Sequence, residues 1–168
     1  MWYKFRRHMQ HLPDVRTSRE LLRAMFDILQ TQCLTSPALA TNVAAVQSGS
    51  AFAAIVSGTL YVFPTATAMA ALTGAAVPNS GNIATVWAFT LNKPGVLGVI
   101  QGGTGATVGA CTLPAIPDET AVIGYLFLSN GSAGAFTPGT TSLATAGLVV
   151  NYCNTVGPFY PISLFGGQ

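Results

Sequence analysis

Charge is what this chain lacks most. Its 168 residues include seven basic and five acidic side chains, about 7% of the total, where soluble domains carry roughly 25%. Histidine is nearly absent: His8 and His11 are the only two, and both precede residue 12. Cysteine is scarce as well. Cys33, Cys111 and Cys153 are far apart and odd in number, which excludes paired metal spacing and a closed disulfide framework. They are expected to be buried or half-buried free thiols. Long apolar runs are missing too. Gly, Pro, Ser and Thr interrupt every stretch before it reaches the 18 residues of a spanning helix. No membrane partner is therefore expected. Arg19, Glu20, Arg23 and Asp27 break the one apolar stretch near the start, so no secretory leader is read there and assembly in the cytoplasm is expected.

What is present is half hydrophobic, with 18 glycines and 10 prolines. Disorder needs low hydrophobicity and high net charge, so this is not a disordered composition. It suits short strands and tight turns whose surface is hidden by assembly. The charge is also lopsided. Lys4, Arg6, Arg7, Arg16, Arg19 and Arg23 all precede residue 28, beside Asp14, Glu20 and Asp27; the rest of the chain has only Lys93, Asp118 and Glu119. The chain thus divides into a basic N-terminal segment, 1–34, and a nearly neutral body, 35–168.

Residues 1–16 show no period and read as an extended arm. Residues 17–32 read as an amphipathic helix. Thr17 and Glu20 make a capping box. Leu21, Leu22, Met25, Ile28 and Leu29 fall on one stripe at helical spacing. Beyond Leu34 the pattern becomes β. "AFAAIVSGTLYVF" predicts two strands turning at Ser57-Gly58. "IATVWAFTLNKPGVLGVIQG" predicts a second hairpin centred on Pro94-Gly95. "TAVIGYLFLSNGSAGAF", with a turn signal at Asn130-Gly131, and "AGLVVNY" complete the set. The fold expected is mainly β, an antiparallel sandwich or small barrel with an N-terminal arm and one helix. The aromatic tail "GPFYPISLFGGQ" has two prolines and is expected to lie over a neighbouring surface.

Chemistry-bearing patterns are few. "QGGTGATVG" lacks the Lys-Ser/Thr and the helix that a phosphate loop needs, so it reads as an inter-strand loop. Asp118 and Glu119 are adjacent, and adjacent strand residues face opposite ways. They read as a solvated turn ahead of a buried strand. His8, His11 and Asp14 sit on an arm without a scaffold and do not make a metal site. No His lies outside the arm to serve a serine nucleophile, and there is no G-x-S-x-G elbow. No catalytic residue, cofactor or metal ligand is assigned. Arg and Lys interleaved with Trp2, Tyr3 and Phe5 permit contact with nucleic acid, but six basic residues offset by three acids make a modest patch. An acidic protein surface is the partner expected, and nucleic acid is not.

One stretch carries a resemblance. "LPAIPDETAVIGYLFLSNGSAGAFTPGTTSLATAGL", Leu113 to Leu148, resembles small tailed-phage virion proteins in which a Pro-rich lead enters an "IGY" strand, followed by "FTPGTT" and a closing "AG". The hairpin Ile83 to Gly102 is similar as well, so the resemblance spans about residues 45–154. It implies a non-enzymatic structural protein: a head fibre, or a decoration or cement protein on a bacteriophage capsid, often a homotrimer. The implied partners are the major capsid protein or another virion protein, and further copies of the chain. Trp2, Arg6, Arg7, Leu22, Met25 and Ile28 are then the expected capsid-binding residues. The alternative is a receptor- or glycan-binding tail fibre or adaptor, with Trp87, Tyr125 and Phe127 as an exposed platform.

Overall fold

The computed structural model describes residues 30–78, 83–131 and 134–157. Nine strands follow in order: β1 Gln32–Cys33, β2 Leu39–Asn42, β3 Ala45–Ser48, β4 Phe52–Val56, β5 Thr59–Phe63, β6 Ile83–Asn92, β7 Leu97–Gln101, β8 Thr120–Asn130 and β9 Leu148–Asn154. They form a three-stranded sheet, β1-β4-β5, a hairpin, β2-β3, and a four-stranded sheet, β7-β6-β8-β9. Every pairing is antiparallel. The fold is mainly β and sandwich-like, and the sheets do not close into a barrel.

Turn chemistry fixes the hairpins. Ser57 and Gly58 have φ of 48° and 80° and join β4 to β5 through two residues. Positive φ at both central positions matches the right-handed twist of the flanking strands. The β6–β7 turn is displaced by one residue from expectation. The Gly95 N–H donates to the Asn92 carbonyl at 2.9 Å. Lys93 and Pro94 are therefore central, and Gly95 follows with φ 84°, a conformation that favours a residue without Cβ. Asn130-Gly131 ends β8 but does not make a tight hairpin. Residues 131–147 intervene before β9, and Asn130 is fully buried. Its Nδ2 donates to the carbonyls of Val77, Pro78 and Gly134 at 3.0–3.3 Å, pinning two loops to the strand end.

The main core lies between one face of the four-stranded sheet and the two smaller sheets. Trp87, Phe89, Leu91, Ile123, Leu126 and Leu128 meet Cys33, Leu39, Val46, Phe52, Ala54 and Val56 there. Fully burying each large apolar side chain contributes about 1.5–3 kcal/mol. The Trp87 indole N–H donates to the Thr73 carbonyl at 2.9 Å, and its ring meets Phe136 edge-on. A second, smaller core covers the opposite face, where Val86, Ala88, Val122 and Tyr125 pack under Cys111 and Ile116. Strands β6 and β8 are thus buried on both sides.

A bulge makes this possible. Phe89 pairs with Gly124 and Thr90 with Val122, so Ile123 is the extra residue on β8. An extra residue reverses the in–out alternation beyond it. Ala121 and Ile123 face the main core before the bulge, and Leu126 and Leu128 face it afterwards. Val122, Tyr125 and Phe127 take the other side.

The predicted helix, residues 17–32, overruns into this body. Residues 30 and 31 form a turn and a bend, and Gln32 already belongs to β1. Residues 17–29 lie outside the described ones. The division expected at residue 34 likewise falls beyond β1. Cys33 is fully buried, and its strand pairs with β4. The sheet captures these residues because Gln32 and Cys33 complete an edge of β4 that would otherwise leave main-chain groups unpaired.

Candidate functional site

The three charged residues of the body lie at the turns of one pole. The Lys93 ammonium meets a Glu119 carboxylate oxygen at 2.6 Å, the one ion pair among the described residues. The same oxygen accepts from the Ser57 hydroxyl at 3.2 Å. The Tyr61 hydroxyl donates to the Lys93 carbonyl. These contacts link the β4–β5 turn, the β6–β7 turn and the start of β8. Glu119 itself stands at φ 52°, unusual for a side chain of its size. The Lys93 hydrogen bond holds its carboxyl below the ordinary value, against slight desolvation, with help from the Lys93 charge and Ser57.

Asp118 and Glu119 are exposed, as a turn requires. Glu119 is occupied by Lys93 and Ser57, while the Asp118 carbonyl accepts from Thr120 Oγ1 at 3.1 Å. What the arrangement does is tie three turns together. Its signal was available in the sequence, since a single cation and two acids in a neutral body have few other partners.

The glycine run is a packing device. Gly105 and Ala84 exchange both main-chain hydrogen bonds at 2.8–2.9 Å, and the Gly103 N–H donates to the Thr112 carbonyl at 2.8 Å. A Cβ on Gly105 would stand 2.6 Å from the carbonyl of Ala110. The loop folds back on itself tightly and so brings Cys111 and Ile116 over the second core.

The thiols divide three ways. Cys33 is buried, Cys111 half-buried and Cys153 exposed, the last contrary to expectation. Cys153 stands on β9, an edge strand of the four-stranded sheet, opposite Tyr125 of β8. Burial pushes the Cys33 thiol up to about 11, with the Thr35 backbone opposing. Cys111 is raised by burial as well. Among the described residues no group of three His, Cys, Asp or Glu side chains gathers as metal ligands would.

The aromatic platform does not form. Trp87 is fully buried in the main core, Tyr125 is almost fully buried on the opposite face, and Phe127 is half-buried beside it. The alternation along β6 and β8 sends the indole and the two rings to opposite sides of the sheet. His8, His11 and Asp14 lie outside the described residues, as do Trp2, Arg6, Arg7, Leu22, Met25 and Ile28.

The positions at which the terminal segments leave the body are described, and both lie along one edge strand. The Gly157 N–H donates to the Cys33 carbonyl at 2.7 Å, and the two residues form an antiparallel bridge at the free side of β1. The segment before Gln30 and the tail beyond Gly157 therefore depart from one edge of one sheet. No family model, curated protein or solved structure matches the chain.

Proposed function

We propose that the protein is a non-enzymatic virion structural protein, one that decorates or cements a bacteriophage capsid or forms a head fibre. The observation that carries this reading is the shared edge from which the N-terminal segment, at Gln30, and the tail, at Gly157 beside Cys33, both depart. A basic, aromatic segment and an aromatic tail leave side by side from a body with three charged residues. That arrangement supplies one attachment pole and leaves the rest of the surface to contacts between copies. Trp2, Arg6 and Arg7 reach the major capsid protein or another virion protein. Charge there speeds encounter and sets register more than it holds.

Self-association belongs to the same reading. Exposed Leu60, Val62, Val96 and Val149 sit on a body with only three charged residues to keep copies apart. A homotrimer is the expected state, formed in the host cytoplasm before joining the particle. The test is occupancy on purified particles. A chain beginning at Gln30 should fail to decorate particles that the full chain saturates. Wild-type occupancy by the shortened chain overturns the assignment of the N-terminal arm. Sedimentation of the full chain as a monomer at micromolar concentration overturns the trimer.

A further inference from the structure

Thr85 and Asn130 are fully buried polar residues at one end of the β6–β8 ladder. Thr85 precedes Trp87 and Phe89 on β6 at the two-residue spacing of one strand face, and Asn130 follows Leu126 and Leu128 on β8 in the same way. Those four apolar residues belong to the main core, so Thr85 and Asn130 face it too. Register sets Ile83 opposite Asn130 and Leu128 opposite Thr85. The two polar residues are therefore diagonal neighbours on one face, with Cα atoms about 7–8 Å apart.

Each ends in an oxygen with no hydrogen-bond partner among the described residues, Thr85 Oγ1 and Asn130 Oδ1. Turning the Asn130 amide round does not mend this. Its Nδ2 donates to the carbonyls of Val77, Pro78 and Gly134 at 3.2, 3.3 and 3.0 Å, and an oxygen in that position would face three acceptors. Ile83, Trp87 and Leu128 around the pair are apolar, and in such surroundings an unmatched polar atom is costly.

The spacing suits one bridging molecule. Two hydrogen bonds of about 2.8 Å to a shared water span roughly 4.5–5.5 Å between their outer atoms. That is the gap left when two side chains lean together from diagonal positions. Water also offers the right chemistry, because it can donate to the amide oxygen and accept from the hydroxyl. An ion does not fit, since neither residue carries a charge to offset its desolvation.

We infer that a single water molecule is bound in the main core between Thr85 and Asn130. It donates one hydrogen to Asn130 Oδ1 and accepts the Thr85 hydroxyl hydrogen. Asn130 already holds the segments at Val77 and Gly134, so the water extends that polar centre to β6. This site does not rest on the virion reading and stands or falls without particles.

A high-resolution crystal structure of the full-length chain tests it first. The expected result is an ordered water within hydrogen-bond distance of both Thr85 Oγ1 and Asn130 Oδ1. Bonds from these oxygens to protein groups alone, or a site without water, overturn the inference. Thr85→Val tests it in solution, because valine keeps the branched shape and removes the hydroxyl. With the water bound, the variant strips a partner from it, and the unfolding equilibrium constant in urea rises about tenfold at matched protein concentration. A constant that is unchanged or lower overturns the inference, since removing a hydroxyl with no partner costs nothing. Thr85→Ser keeps the hydroxyl and loses only a methyl group. Its crystal structure should retain the water, and loss of the water there overturns the part given to the hydroxyl.

Discussion

The two principal sheets use similar residues and meet opposite fates. β6 reads "IATVWAFTLN" and β5 reads "TLYVF", both rich in β-formers and without charge. β6 is buried on both sides, while β5 exposes Leu60 and Val62. The difference is what lies outside each strand. The glycine-rich loop folds Cys111 and Ile116 over β6, and no described residue does the same for β5. A sheet face is closed by distant chain that can approach it, so strand composition alone does not say which face is core.

The contrast breaks most completely at Trp87. Trp87→Ala removes the largest buried side chain of the doubly covered sheet, together with its Phe136 contact and its bond to Thr73. A loss of about 3–5 kcal/mol is expected in denaturant unfolding. The next test uncovers the second face. Gly105→Ala pushes a Cβ against the Ala110 carbonyl, which should cost about 1–3 kcal/mol and raise the thiol reactivity of Cys111. An unchanged midpoint and unchanged labelling would mean that the loop has slack.

Thiol chemistry sharpens the comparison further. Cys153 should react with an exposed-thiol reagent at once, Cys111 more slowly and Cys33 only on unfolding. Cys33 also leaves a mark in the pH profile. Its ordinary value is 9.0 and its folded value about 11, so above pH 9 the unfolded chain releases a proton that the folded chain keeps. Stability is therefore fully present below 9 and declines toward 11. Cys33→Ala should flatten that part of the alkaline limb. The remainder belongs to the other groups that burial raises, Cys111, Tyr152 and above all the Tyr125 phenol, raised to about 12.

The smallest effect is at the charged pole. Glu119 is held low by Lys93, so its contribution is present above its ordinary value of 4.5 and is lost as pH falls through the depressed one. Lys93→Met should remove this acid dependence with little change at neutral pH, as befits an exposed pair. A large loss at neutral pH would show that the three turns depend on the tether.

Sequence patterns located two of the three tight hairpins, because Ser57-Gly58 and the Pro94-Gly95 region carry backbone preferences that act within a few residues; the third, β2–β3, carried no such signal and was not predicted. They identified the neutral body and placed Asp118 and Glu119 on a turn. They left open whether Trp87, Tyr125 and Phe127 are exposed, because one strand's alternation is readable but the face that another segment covers is not. They also missed the bulge at Ile123, the residue left over between the pairs Phe89–Gly124 and Thr90–Val122, which reverses that alternation and leaves no local mark. The β1 strand escaped notice for a similar reason: two residues have no period, and only β4 makes Gln32 and Cys33 a strand. What the amino-acid sequence by itself determined was where the chain turns and where its charge lies, since both are properties of neighbours along the chain. What the tertiary structure alone decided was which faces are closed, how the Lys93–Glu119 tether forms and that the two terminal segments leave from one edge strand, at Gln30 and at Gly157. Those depend on contacts between residues far apart in sequence, whose geometry no local preference encodes.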